Sequence, residues 1–118
     1  MSQQAWTILA VMWFLVLVLI VAMFAAISRA ASQPGAKRDA LVGIKLSALK
    51  ASDEAWRAGH GAAYAKSRTI ALSVLPLGAL ALVLLAWVPA APAVIQVVLM
   101  AVAIIWFSLT AARAARGF

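Results

Sequence analysis

The chain lacks cysteine, and this absence excludes both disulfide bonds and thiolate metal sites. Charged side chains are also scarce, because they make up only 11% of the 118 residues, under half of the usual share of about 25%. Hydrophobic residues make up 67% of the chain, and the mean hydropathy is +1.06. A soluble domain of this length cannot bury so much apolar surface. The composition therefore predicts an integral membrane protein.

Acidic residues are nearly absent, and the ten Lys and Arg side chains give a net charge of +7. Eight of these ten lie in one polar interlude, residues 29–68, and the other two are Arg113 and Arg116. A nucleic-acid-binding protein needs a basic face on a folded domain, which this interlude is too small to supply. The distribution is instead typical of the cytoplasmic side of a multi-pass membrane protein.

Charge is absent from three long apolar runs, each of which is long enough to cross the membrane as a helix of about 20 residues. Residues 1–28 are predicted to hold a short outside N-terminus and the first transmembrane helix, residues 69–88 the second and residues 93–112 the third. The first run is not expected to be a cleaved signal peptide. It has no basic segment before it, and it exceeds the apolar core of about 7–15 residues that such peptides have.

Three spans place every Lys and Arg on one side of the membrane, which the positive-inside rule makes cytoplasmic. Residues 89–92, "PAAP", are then an outside turn, and the tail 113–118 is cytoplasmic. Trp6 and Trp87 both fall at the outer interface, as an aromatic belt requires. The sequence predicts a multi-pass membrane protein with its N-terminus outside and its C-terminus inside.

The predicted spans contain no ionisable side chain, although such groups usually mark proton relays and ion pathways. This argues against a coupled transporter and against an intramembrane protease, and neither an enzyme nor a bound cofactor is expected. Gln96 is expected in the first turn of the third helix, close to the membrane interface.

The interlude is predicted to begin as a linker and to end as a short interfacial helix over about residues 53–66. Ser52 is a good N-cap, and acidic side chains at Asp53 and Glu54 favour the helix dipole. Residues 40–51 could be extended or helical. Trp56, His60 and Tyr64 follow at four-residue spacing, so one helix face should carry all three.

His60 has no second histidine and no cysteine nearby in the sequence, so a metal site is not expected. It also lacks a recognisable nucleophile that it could serve as a general base. The favoured interpretation is a structural histidine that is hydrogen-bonded at the interface or packed on Trp56. A pH-sensing role stays open, because histidine titrates near neutrality.

A pattern of widely spaced residues in this interlude resembles the SdpI family of small bacterial membrane proteins. The matching residues are Gly43, Ile44, Lys45, Ser52, Glu54, Trp56 and His60. The resemblance runs from about Leu41 to the end of the third span. Lys45 stands where the family usually has arginine, and Leu46 where it often has threonine. The best-known member is also larger, so the resemblance implies a shared three-helix module more than a shared activity.

The apolar runs and the capping pattern predict an all-α membrane protein, with three transmembrane helices and a short cytoplasmic interfacial helix. The resemblance implies that this protein lies in the bacterial cytoplasmic membrane. The function that the resemblance implies is immunity to a membrane-active peptide toxin, with signalling through a cytoplasmic regulator. The protein would act by binding and not by catalysis. The alternative is a small accessory or structural subunit of a larger membrane complex. Expected partners are thus the lipid bilayer and a toxin, a regulator, a larger complex or a second copy of the chain.

Seven residues are candidates for the motif and for partner binding: Gly43, Lys45, Ser52, Glu54, Trp56, His60 and Tyr64. Lys45 and Glu54 are expected to form a partly buried ion pair that holds the loop on the bundle. Leaving one member of such a pair unpaired would cost about 3–5 kcal/mol.

Overall fold

The computed structural model describes residues 1–37, 43–44 and 46–117. Three long helices dominate this part of the chain, α1 (Gln3–Ala31), α2 (Asp53–Ala81) and α3 (Ala91–Ala115). Two short 3-10 helices, Leu49–Ala51 and Leu82–Ala86, precede and follow α2. The described residues include no strand, and each long helix is long and apolar enough to cross a membrane. The predicted all-α class and the three candidate spans are thereby confirmed.

The short interfacial helix predicted over residues 53–66 is not a separate element. It is the first part of α2, which runs without a break from Asp53 to Ala81. Lys66 and Arg68 are both exposed and project outward, so they leave the backbone hydrogen bonds of the helix intact. The change from polar to apolar sequence after Arg68 therefore marks a change of surroundings and not the end of a helix.

The three helices run up, down and up. At one end of the bundle, the Gln3 side chain donates a hydrogen bond of 2.8 Å to the carbonyl oxygen of Leu85. At the other end, the guanidinium of Arg29 lies 5.9 Å from the ring centroid of Tyr64. This second end, where α1 ends, α2 begins and α3 ends, is called the basic end, because Lys and Arg side chains of all three helices gather there.

The bundle has a small interior of alanine and a few large side chains. Leu17, Ile70 and Phe107 are fully buried, and the ring of Phe24 stacks on that of Phe107 with centroids 5.1 Å apart. Small residues let helices approach closely where no hydrophobic effect drives them together. Large apolar side chains instead cover the outside, and Leu80 is 67% exposed. Such a surface suits lipid and would be costly in water.

α2 and α3 extend beyond the end of α1. Ser32, directly after α1, lies beside Gly61 of α2, yet α2 begins earlier, at Asp53. The residues between them add about 12 Å of helix at 1.5 Å per residue. The whole molecule is 51 Å long, whereas the hydrocarbon core of a bilayer is about 30 Å thick. We call this part the two-helix extension; it comprises residues 53–60 of α2 and the end of α3 from Ala111 to Ala115, since the carbonyl of Ala111 lies against Gly59.

Gln96, in the second turn of α3, is fully buried between α2 and α3. Its side-chain amide donates a hydrogen bond of 2.7 Å to the carbonyl oxygen of Gly78. That carbonyl accepts no bond from Leu82, because the backbone tightens there and the Leu82 amide turns to Ala79. The amide of Gln96 satisfies an acceptor that an apolar interior would otherwise leave unpaired.

Candidate functional site

The polar interlude packs on the two-helix extension through two aromatic rings. Trp56 and His60 are both fully buried, and their ring centroids lie 4.5 Å apart at an angle of 48°. They lie one helical turn apart on α2, which places them on the same face. The predicted contact between the two rings is present, and it forms the centre of the site.

Gly43 contacts this pair of rings directly. A Cβ atom at Gly43 would overlap the six-membered ring of Trp56 and would lie 3.2 Å from Nε2 of His60. The residue also has a φ angle of +155°. A side chain at this position would therefore push the segment off the helix. The glycine of the motif is required because the backbone lies against an indole face.

His60 joins the segment to α2 with both of its ring nitrogens. The amide of Ile44 donates a hydrogen bond of 2.7 Å to Nε2, and Nδ1 lies 2.7 Å from the carbonyl oxygen of Trp56. Nε2 must then be the acceptor and Nδ1 must carry the proton, which defines a neutral imidazole. We call Gly43, Ile44, Trp56 and His60 the clamp.

Ser52 starts α2 and ends the segment that the clamp holds. Its hydroxyl oxygen accepts a hydrogen bond of 3.0 Å from the amide of Ala55, so the predicted N-cap is present. Just before it, Leu49 is fully buried in the first 3-10 helix and lies against Gly59. The segment is therefore fixed at Gly43, at Leu49 and at Ser52.

Arg57 is a further contributor that the sequence pattern did not identify. Its guanidinium donates a hydrogen bond of 2.9 Å to the carbonyl oxygen of Ala36 and lies 3.9 Å from the carboxylate of Glu54. The Glu54 side chain is 66% exposed, so this ion pair contributes little to stability. The bond to Ala36 holds the linker to α2. No sequence pattern reveals it, because its acceptor is a backbone carbonyl.

Among the described candidates, Ser52, Glu54 and Tyr64 lie outside the clamp. Tyr64 shares the helix face of Trp56 and His60, but it is 41% exposed and lies under the guanidinium of Arg29. Lys45 lies outside the described residues, and so does its predicted ion pair with Glu54.

The described residues of the site form a packed surface around two buried rings. Within residues 1–37, 43–44 and 46–117, no three side chains of His, Asp or Glu lie close enough to hold a metal ion. Both nitrogens of His60 are engaged with backbone groups, so its role here is structural. The exposed side chains around the clamp, including Lys50 and Glu54, are those available for recognition.

Comparisons of the chain with models of known protein families, with curated proteins and with solved structures found no match. The function must therefore follow from the chain's own residues.

Replacing His60 with leucine should release residues 43–51 from α2. The amide of Ile44 would lose its acceptor, and an unsatisfied buried donor costs about 1–3 kcal/mol. Limited trypsin digestion in detergent should then cut faster at Lys50, which is exposed. Tyr64→Leu is the control, because Tyr64 lies on the same helix outside the clamp and is 41% exposed. Equal digestion rates for His60→Leu and the natural chain would contradict this role.

Proposed function

We propose that this chain is an SdpI-like protein of the bacterial cytoplasmic membrane. It protects against a membrane-active peptide toxin by binding a partner, without catalysis. The observation that supports this is the convergence of the motif. Gly43, Ile44, Trp56 and His60 contact one another, and Ser52 caps the helix that carries two of them. These described members of the pattern form one folded unit, which supports the proposal.

The clamp makes the polar interlude suitable for recognition. A loop that is already ordered loses less conformational entropy when it binds, and its affinity gains accordingly. Residues 43–51 are held at both ends, and exposed side chains such as Ser47 and Lys50 are presented from this fixed backbone. In this proposal, the partner binds to this segment and to the first turn of α2.

The orientation of the proposal places the basic end in the cytoplasm. Because the natural chain has no cysteine, Gln33→Cys and Val88→Cys would each carry one thiol, at opposite ends of the bundle. In intact cells, a membrane-impermeant thiol reagent should label the cysteine at position 88 and spare the one at position 33. Both positions are exposed, so the difference would report topology. The opposite labelling pattern would reverse the orientation.

The function is tested by expressing the chain in a sensitive bacterium and adding secreted membrane-active peptides. Protection should appear as a higher inhibitory concentration for at least one peptide. Ser47→Glu should weaken that protection while the thermal midpoint of the purified protein stays unchanged, because the side chain of Ser47 is exposed. If no peptide is resisted although the chain is present in the membrane, the immunity proposal fails. A stoichiometric membrane protein that co-purifies with it would then favour the accessory-subunit alternative.

A further inference from the structure

We propose that a groove between α2 and α3 at the basic end binds the headgroup of one anionic phospholipid. The groove has a volume of about 620 Å³. It is lined by Lys66, Trp106, Leu109, Thr110, Arg113 and Ala114. It lies apart from the clamp, and the inference does not depend on the proposed immunity function.

Two cations from different helices line this groove. Lys66 of α2 and Arg113 of α3 are both exposed. Within the described ranges 1–37, 43–44 and 46–117, neither has an acidic partner. Side chains on an α-helix tilt toward its N-terminus. Because α2 and α3 are antiparallel, Lys66 and Arg113 tilt toward each other, and their charges converge on the groove between them.

The other lining residues suit the glycerol region and the start of an acyl chain. Trp106 supplies an amphipathic ring of the kind that is enriched at membrane interfaces, and the hydroxyl of Thr110 can donate a hydrogen bond to a phosphate oxygen. Leu109 is 45% exposed beside them. The groove thus combines two positive charges, a hydroxyl and apolar surface within a short distance.

The position of the groove along the bundle explains why its occupant is a lipid. α2 carries no charge beyond Arg68, so Lys66 lies at the boundary between polar and apolar surface. Toward the middle of the bundle, Ile105 and Val102 lie on α3 one helical turn before Leu109 and Trp106, and they are 56% and 44% exposed. An occupant that covers both parts needs an anionic head and a hydrophobic tail. Basic pockets between transmembrane helices bind such headgroups.

The test is native mass spectrometry of the full chain in detergent, titrated with phosphatidylglycerol or with phosphatidylcholine. The natural chain should retain one phosphatidylglycerol molecule in clear preference to phosphatidylcholine. Lys66→Ala/Arg113→Ala should weaken phosphatidylglycerol binding by about tenfold or more, because each cation near the headgroup contributes to the attraction. The matched control is Lys37→Ala/Arg116→Ala, which removes the same two kinds of charge from exposed positions outside the groove.

Several outcomes separate the proposal from its competitors. Equal weakening in both double variants would show that only net charge attracts the lipid, and it would overturn the site. Loss of bound phosphatidylglycerol on adding inorganic phosphate at the same concentration would show an anion site and not a lipid site. If Lys66→Ala/Arg113→Ala fails to fold, Lys66→Gln and Arg113→Gln are measured singly. Each single variant should weaken the binding of phosphatidylglycerol and leave that of phosphatidylcholine unchanged. Absence of any preference over phosphatidylcholine in the natural chain would refute the proposal directly.

Discussion

Replacing Trp56 with alanine is expected to lower the free energy of unfolding by about 3–5 kcal/mol, the usual cost of truncating a fully buried aromatic residue. The indole covers Gly43 and packs on His60, so its loss would leave a cavity at the centre of the clamp. Thermal unfolding in detergent, followed by circular dichroism, would measure the change. The linker should also become more sensitive to proteases, because the indole is the larger of the two rings that lie against Gly43.

Trp87→Ala is the matched control for this variant. Trp87 is 72% exposed at the other end of the bundle, so removing the same side chain there should leave the unfolding midpoint almost unchanged. If the two tryptophan variants unfold at the same temperature, Trp56 does not hold the interlude on α2, and the clamp does not stabilise the protein.

Gly59→Ala should also destabilise the protein strongly, although alanine ordinarily favours a helix over glycine. A Cβ at Gly59 would lie 2.8 Å from the carbonyl oxygen of Ala111 and 2.9 Å from Cγ of Leu49. The first neighbour is backbone, so α3 itself would have to move. Overpacking of this kind costs about 1–3 kcal/mol, and the loss should appear in the same unfolding experiment.

Gly61→Ala, two residues further along the same helix, isolates the packing effect. There the nearest atom to an added Cβ is Cβ of Ser32, at an ordinary contact distance of 3.7 Å. This variant should be neutral or more stable by up to about 1 kcal/mol, because alanine has the higher helix propensity. A Gly59→Ala protein as stable as Gly61→Ala would mean that α2 and α3 do not approach closely at this level.

The parts of the fold that depend on local pattern were predictable from the sequence. Three charge-free runs indicated three helices, and Ser52 followed by acidic residues indicated the start of α2. The spacing of Trp56 and His60 likewise placed them on one face. Each of these inferences uses residues that are close together in the sequence, where helix geometry alone determines the outcome.

The sequence indicated which residues belong to the clamp, but it did not predict the contacts that they make. His60 accepts its hydrogen bond from the amide of Ile44, 16 residues earlier. Every residue type except proline has a backbone amide, so the spacing of side chains cannot predict this bond. The buried position of Gln96 was missed for a related reason. Its acceptor, the carbonyl oxygen of Gly78, is available only because the helix tightens near Leu82, and no residue type marks that change.

A polarity boundary was also mistaken for a structural boundary in α2. The charges at Lys66 and Arg68 suggested that an interfacial helix ended and a transmembrane helix began, but the backbone continues through both. The same continuity places the clamp on the helix that goes on into the second candidate span.

The hydrogen bond between Ile44 and His60 is the most direct test of the clamp, on which the account of the interlude depends. It can be observed by NMR of the uniformly ¹⁵N-labelled full chain in detergent micelles. We expect a through-hydrogen-bond coupling between the Ile44 amide nitrogen and Nε2 of His60, with the imidazole proton on Nδ1 and slow exchange of the Ile44 amide. An Ile44 amide that exchanges as fast as in an unfolded peptide, together with a proton on Nε2, would show that the clamp does not form.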